Sequence, residues 1–289
     1  MAPVPEDDAA RREPSTREGL DGESGAAVLD AAGSGAGPGD LGTSANAERI
    51  GWVAVGATLV AAGALLGAVV SGYAAALGVT LTLALVLAWG WPPLTGSRTP
   101  AATSGVLATS AVAIVLSALR QDLLWVPAAV AFGIVLSFFA QLVRRAGREG
   151  LVLTLLSSFG GLVVMASGAT AVVAAADARD RAVAVVAMAA VAAGVVGDLL
   201  ARVPALDRWL GLVVLAAAVM VAVVAAAGTG RVGPLAAVGI GAVAGAGSWA
   251  FRRVFSLEPA MLGVRGQVAA AAGSVLAVGA VVRLFSLLT

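Results

Sequence analysis

The stretch Trp209–Gly228, WLGLVVLAAAVMVAVVAAAG, contains twenty residues and no charged side chain. A helix rises about 1.5 Å per residue, so twenty residues span the roughly 30 Å hydrocarbon core of a bilayer. Lipid offers the backbone no hydrogen-bond partner, whereas a helix satisfies its backbone groups internally. The stretch therefore predicts a membrane-spanning helix.

Eight further apolar stretches of comparable length occupy the rest of residues 49–289. They are Ile50–Val70, Ala74–Trp91, Ala101–Leu119, Leu123–Val143, Leu151–Ala175, Ala182–Ala201, Gly233–Phe251 and Gly266–Leu284. Together the stretches predict an all-α fold, a polytopic transmembrane helix bundle of about nine helices. The six tryptophans fall near the predicted helix ends, where the membrane interface favours them. An even helix count stays open because the first turn, Ser71-Gly72-Tyr73, is very short.

The composition agrees with a membrane protein and excludes several chemistries. Hydrophobic residues make up 60% of the chain and charged residues 12%, about half the charged share of a soluble domain. The absence of cysteine and histidine excludes thiolate chemistry, iron–sulfur clusters and histidine as a base or metal ligand. We expect no cofactor, and the sequence contains no recognisable catalytic motif.

Residues 1–48 differ sharply from the rest of the chain. They are rich in Gly, Ala, Ser, Pro, Asp and Glu, and residues 1–49 hold ten acidic residues against four arginines. Such a segment cannot bury enough apolar surface to offset the entropy of ordering. We expect a disordered acidic cytoplasmic tail, either a solvated extension or a docking segment for a protein partner.

The distribution of arginines predicts the orientation in the membrane. With the tail inside, ten arginines flank the helices on the cytoplasmic side and five on the other side. The excess favours a multi-pass plasma-membrane protein with a cytoplasmic N-terminus and an extracytoplasmic C-terminus. Because the arginines lie singly or in pairs between apolar runs, we expect no nucleic-acid partner.

A weak internal repeat is also present. An offset of 108 residues aligns Pro127–Arg145 with Leu235–Arg253, with seven identical positions that include the final arginine pair. The match is consistent with one helix followed by two parallel four-helix repeats, residues 74–175 and 182–286. Parallel repeats of transporters hold their site at the repeat interface. Abundant Ala, Val and Gly produce such matches by chance, and this alternative stays open.

The segment Gly197–Arg208 is the first candidate site. Carboxylates are the ligands that Mg²⁺ prefers, and Asp198 also has an arginine four residues later, the spacing of a helical ion pair. The candidate metal or phosphate site consists of Asp198, Arg202, Asp207 and Arg208. Local ion pairs in an interfacial loop are the alternative. The Gly-Asp and Asp-Arg pairs of this segment resemble elements of the phosphatidate cytidylyltransferase family, which implies a lipid-modifying enzyme. The Lys-rich and Pro-Gly-His-Gly-Gly parts of that signature are absent.

Two patterns of small residues concern the helices themselves. The best candidate for a helix break, with unwound backbone that coordinates an ion, is Ser157, Ser158, Gly160 and Gly161. Ordinary packing is the alternative there. The spacings Gly63/Gly67 and Gly241/Gly245 allow close helix approach, either inside the chain or on a face that binds a partner.

Basic residues at the cytoplasmic helix ends are candidates for contact with anionic lipid headgroups. They are Arg144, Arg145, Arg148, Arg252, Arg253 and Arg265. A role in topology alone is the alternative. The segment Phe138–Arg148, FFAQLVRRAGR, resembles a segment of actinobacterial multi-pass integral membrane proteins of unassigned function, and this resemblance implies no activity.

Three functional hypotheses follow, in order of preference. The first is a permease-like or lipid-handling protein with its site between the two four-helix units. The second is a non-catalytic membrane subunit or scaffold for an envelope-assembly partner, bound through the tail or a small-residue helix face. The third is a lipid-modifying enzyme that uses Asp198 and Asp207.

Overall fold

The computed structural model describes residues 51–143, 150–200, 203 and 208–288. The predicted tail, residues 1–48, lies outside this part of the chain. So do five of the residues singled out above, namely Arg144, Arg145, Arg148, Arg202 and Asp207.

The described residues form nine helices and no strand. They are α1 (Trp52–Ser71), α2 (Tyr73–Leu94), α3 (Pro100–Ser117, continued by the 3₁₀ turn Ala118–Arg120), α4 (Val126–Leu142), α5 (Leu151–Ala174), α6 (Ala178–Leu200), α7 (Leu210–Thr229), α8 (Pro234–Phe255) and α9 (Val264–Leu288). A short 3₁₀ helix, Pro259–Leu262, precedes α9. Eight of the nine are long and apolar enough to cross a membrane, and α4 has 17 residues. The all-α polytopic bundle is confirmed.

Turn residues set several of the helix boundaries. Gly72 separates α1 from α2 with φ +117°, a conformation that residues with a Cβ rarely adopt. Gly230 ends α7 with φ +62° and donates its N–H to the Ala226 carbonyl. Prolines stand in the first turn of α3, α4 and α8, where a missing N–H costs nothing. The short hairpin at Gly72 thus joins two separate helices.

Contacts at the helix ends show how the chain runs through the bundle. At one end, the Gln267 side chain near the start of α9 accepts the Ala54 N–H of α1 at 3.1 Å. At the other end, the Tyr73 hydroxyl at the start of α2 donates to the Ala118 carbonyl after α3 at 2.5 Å. We call the end where α1 and α9 begin the N-terminal end, and the opposite one the C-terminal end. Since α9 runs away from the N-terminal end, the two chain ends of the helical region lie on opposite sides.

Glycine permits close crossings of α8 with its neighbours α6 and α7. A Cβ on Gly194 of α6 would lie 2.8 Å from the Gly245 carbonyl oxygen of α8, and one on Gly241 would lie 2.7 Å from the Ala222 Cβ of α7. The Gly241/Gly245 spacing therefore serves packing inside the chain. Gly63 and Gly67 of α1 have no atom within 4 Å of such a Cβ, so they face outward.

Two helices are irregular, and neither is the one for which a break is predicted. α8 contains a π-helical segment, Gly241–Gly245, and α9 is interrupted between Leu276 and Gly279. The Ser167 hydroxyl of α5 bridges the interruption, since it donates to the Ala277 carbonyl at 2.8 Å and accepts the Ala280 N–H at 2.7 Å.

The predicted break in the fifth helix is wrong, because α5 is continuous from Leu151 to Ala174. Its small residues pack around Trp91 of α2 instead. The indole N–H donates to the Ser157 carbonyl at 2.7 Å, and the ring lies against Gly160 and Gly161. The Ser158 hydroxyl donates back to the Thr154 carbonyl at 3.0 Å, a contact made within an intact helix.

The predicted units, residues 74–175 and 182–286, share a long interface in which α9 packs against α2 and α5. Their origin in a duplication stays a prediction, since packing neighbours alone do not establish that the units superpose.

Candidate functional site, a buried charged cluster

An ion pair lies inside the bundle near its N-terminal end. The Arg252 Nε of α8 donates to the Asp198 Oδ2 of α6 at 2.7 Å, and both side chains are fully buried. Among the described residues these are the only buried charged side chains. Charged residues within membrane helices are costly and usually functional, so the pair defines the candidate site.

The Arg252 side chain points into the bundle rather than toward the nearer membrane surface. Side chains on a helix tilt toward its N-terminus, which for α8 is the direction away from its own end at Phe255. The Nη1 atom donates to the Ser248 Oγ at 2.8 Å and to the Ser274 Oγ of α9 at 3.2 Å. Ser274 lies about 15 Å along α9 from the start of that helix, at 1.5 Å per residue. The guanidinium is thus held at depth by two hydroxyls, the reverse of a snorkelling arginine.

Small and aromatic residues surround the pair. Gly197, the residue before Asp198, leaves room for the Trp249 indole, because a Cβ at that position would lie 2.9 Å from its Nε1. On the same helix as Arg252, the rings of Phe251 and Phe255 have centroids 4.8 Å apart. The Trp91 ring of α2 lies 5.3 Å from Phe255. This aromatic group joins the cluster to the interface between the two predicted units.

The hydrogen bonding of the cluster is incomplete. An arginine and a carboxylate commonly form two parallel hydrogen bonds, whereas here one is formed. Three buried polar atoms, Asp198 Oδ1, Arg252 Nη2 and Trp249 Nε1, have no hydrogen-bond partner among the described residues. A buried polar atom without a partner costs about 1–3 kcal/mol, and more when charged. The arrangement is therefore not the one that would maximise stability.

One predicted site residue has a partner that the sequence did not predict. Asp198 pairs with Arg252; Arg202 lies outside the described residues, so the Asp198–Arg202 pair stays a prediction. A carboxylate neutralised in this way does not offer the surplus negative charge of a magnesium site, and no group of three or more potential ligand residues occurs in the described part of the chain. Asp207 also lies outside that part, and Arg208 is exposed before α7.

The described arginines that were predicted to contact lipid headgroups differ in their burial. Arg252 is fully buried and is not a headgroup contact. Arg253 is half-buried beside Arg252, and its positive charge acts on the Asp198 carboxylate. Arg265 lies at the bundle surface, where its Nε donates to the Trp89 carbonyl at 2.8 Å and its guanidinium lies 4.9 Å from the Trp89 ring centre. For Arg265 a headgroup contact stays a prediction.

The sequence alone did not reveal the Asp198–Arg252 pair, since the two residues are 54 positions apart. Arg252 belongs to an arginine pair at a helix end, a pattern typical of topology signals. Ser248, one turn before it, is the only local sign of a buried guanidinium.

A second polar region lies at the C-terminal end. An open cavity of about 450 Å³ there is lined by Gln121, Asp122, Asp177, Asp180 and Arg283, with apolar neighbours. The Asp180–Arg283 ion pair is 4.0 Å long and partly exposed. The backbone N–H groups of Arg179 and Asp180 donate to the Asp177 carboxylate and hold its pKa below the ordinary value.

Nine helices in the described part of the chain, eight of them of spanning length and apolar composition, define an integral multi-pass membrane protein. No family model, no curated protein and no solved structure matches the chain.

Proposed function

We propose that the chain is a permease-like or lipid-handling protein of the plasma membrane, with its working site at Asp198 and Arg252. One observation carries the proposal: Arg252 is fully buried among membrane helices, with Nη2 donors that have no partner among the described residues. Intramembrane ionisable groups mark substrate and ion pathways by default.

The chemistry of arginine supports a role in recognition. Its planar guanidinium stays charged and offers five N–H donors in a fork that matches carboxylate and phosphate groups. A pair that serves stability alone is replaceable by well-packed apolar residues without loss. Because Asp198 accepts only from Nε of Arg252, the Nη2 donors are left for a ligand.

The irregular helices support the same site. α8 and α9, which carry Arg252 and Ser274, are also the two helices with a π segment or an interruption. Single π-helical turns occur often at functional sites, and transporters commonly build their sites from discontinuous helices.

The test is native mass spectrometry of the protein extracted gently from its own membrane. Wild type is expected to retain a discrete lipid or small anion, and the R252Q variant to lose it. The R231Q variant is the matched control, because it removes an exposed arginine at the opposite end of the bundle. A ligand retained equally by all three proteins would place the binding elsewhere and contradict the proposal.

The second candidate, a non-catalytic subunit or scaffold for an envelope-assembly partner, is favoured by one observation. Three glycines of α1 face outward, because a Cβ built on any of them would meet no atom within 4 Å; they are Gly56, Gly63 and Gly67. Such a surface suits close approach by a partner helix. Under this alternative, the protein co-purifies with another polypeptide in fixed stoichiometry, and a G63L/G67L variant loses that polypeptide. Recovery of the wild-type chain alone would exclude it.

The third candidate, an enzyme of phosphatidate cytidylyltransferase type, has less support, because Arg252 neutralises Asp198.

The proposed orientation has the N-terminus in the cytoplasm and is tested by cysteine labelling, since the chain has no native cysteine. An R98C variant should react with a membrane-impermeant reagent only after the membrane is opened. An R231C variant should react from outside, and the reverse pattern would invert the topology.

A further inference from the structure

The Asp198–Arg252 pair combines a carboxylate, which binds protons, with a guanidinium, which binds oxyanions. We propose that a proton on Asp198 releases Arg252, and that Arg252 then binds the oxyanion of a carboxylate or phosphate ligand. This inference deepens the function proposed above and rests on it.

The cluster has more donors to offer than acceptors. Arg252 Nη2 carries two N–H groups and Trp249 Nε1 carries one, while Asp198 Oδ1 is the only acceptor among the three atoms without a partner. Trp249 Nε1 of α8 lies beside Gly197 of α6, the residue before Asp198, and Arg252 of α8 binds Asp198 itself, so the three groups meet at one turn of α6. An excess of N–H donors suits a ligand rich in oxygen acceptors. It does not suit a metal cation.

The exchange leaves the net charge of the site unchanged. Before it, the Asp198 carboxylate balances the Arg252 guanidinium. One proton from water binds the carboxylate, the Nε–Oδ2 hydrogen bond opens, and the guanidinium donates hydrogen bonds from Nε and Nη2 to one monoanion. Either step alone leaves an uncompensated buried charge, which is strongly unfavourable. Proton and anion are therefore taken up together, one for one.

Few other charges act on Asp198. Within the described residues, α1, α2, α5 and α7 carry no charged side chain. On α6 the other charged residues, Arg179, Asp180 and Arg181, lie at the opposite end of the helix. α8 adds Arg253, whose charge reaches Asp198. The arginines of α9 lie at its two ends, where Arg265 contacts Trp89 and Arg283 lies near Asp180. Among the described residues, the charge of the site therefore depends mainly on Asp198 and Arg252, with Arg253 beside them.

The oxyanion has two sources, a lipid phosphate that enters from the bilayer or a soluble anion. Two probes distinguish them. Inorganic phosphate is added to protein in nanodiscs of phosphatidylcholine, and separate nanodiscs contain phosphatidylcholine with added phosphatidate. Binding is followed by the rise in thermal stability, and proton uptake by a pH indicator in weak buffer.

Wild type should take up about one proton for each oxyanion bound, with an affinity that falls about tenfold per pH unit once Asp198 is ionised. D198N mimics the protonated carboxyl, so it should bind the same probe more tightly at neutral pH and take up no proton. R252Q should bind neither probe. The neutral double variant D198N/R252Q should fold without binding, and so serves as the control for folding.

Wild-type binding without proton uptake, or D198N binding no tighter than wild type, would overturn the proton-coupled exchange and leave the proposed function standing. No response to either probe in acidic buffer would also overturn the exchange. Full binding by R252Q would remove the ligand from this site and overturn the proposed function itself. If D198N fails to fold, the measurement of proton uptake by wild type alone tests the proton-coupled exchange.

Discussion

The two ends of the bundle each hold an aspartate–arginine pair, and the pairs differ in almost every physical respect. At the N-terminal end, Asp198 and Arg252 lie 2.7 Å apart and are fully buried. At the C-terminal end, Asp180 and Arg283 lie 4.0 Å apart, with side chains 21% and 42% exposed. The same two residue types thus form a solvated contact at one end of α6 and a desolvated one at the other. The energetic weight of an ion pair is set by its surroundings.

The largest expected effect is the loss of one partner from the buried pair. R252A leaves the Asp198 carboxylate buried without its counter-ion, a change that typically costs about 3–5 kcal/mol. R283A should change the free energy of unfolding by about 0–1 kcal/mol, as expected for an exposed pair. Both are measured by unfolding in mixed detergent micelles. Equal effects of the two substitutions would contradict the difference between the ends.

The glycine crossings offer a second comparison of the same kind. G245V should overlap the Ala218 side chain and the Ala190 carbonyl, at a cost of about 1–3 kcal/mol or more from overpacking. G67V faces open surroundings, so it should leave the unfolding free energy nearly unchanged. A destabilised G67V would show that the outward face of α1 is covered in the membrane.

The interruption of α9 gives a smaller effect. S167A removes the hydroxyl that bridges Ala277 and Ala280. The loss should lower the free energy of unfolding by about 0.6–1.5 kcal/mol, and the lower value is typical of hydrogen bonds between membrane helices. The control S71A removes an exposed hydroxyl that bonds only within its own helix. Faster amide exchange around Ala280 in S167A would confirm the bridge, and unchanged exchange there would contradict it.

The smallest effect concerns Asp177 at the start of α6. Backbone N–H groups of Arg179 and Asp180 hold the pKa of Asp177 below its ordinary 3.8 in the folded protein. A lowered folded-state pKa means that the ionised carboxylate stabilises the fold above the unfolded-state pKa, and that this gain is lost as pH falls through the folded-state pKa. Wild type should therefore exceed D177N in thermal stability at neutral pH, and the difference should vanish in strong acid. A constant difference would assign the effect to packing.

Much of the fold was predictable because the bilayer imposes one rule on every segment. A stretch such as Leu210–Thr229 must be helical when lipid surrounds it, since no other local structure satisfies its backbone. The predicted helix starts and ends agree with the observed ones within a few residues, and the short turn at Gly72 joins two complete helices. The predicted break in α5 was wrong, because serines and glycines mark packing positions as readily as breaks. The partner they pack against, Trp91, lies far away in sequence.

The sequence by itself determined that the chain is a membrane bundle and, within a few residues, where its apolar helices lie, because hydrophobic length and turn chemistry act locally. It also placed an aspartate near the end of the sixth helix. Only the tertiary structure decided what that aspartate contacts. Bringing Asp198, Arg252 and Ser274 together requires the crossing angles of α6, α8 and α9. Those crossings are set by glycines such as Gly194 and Gly245, whose close approach depends on packing across the whole bundle.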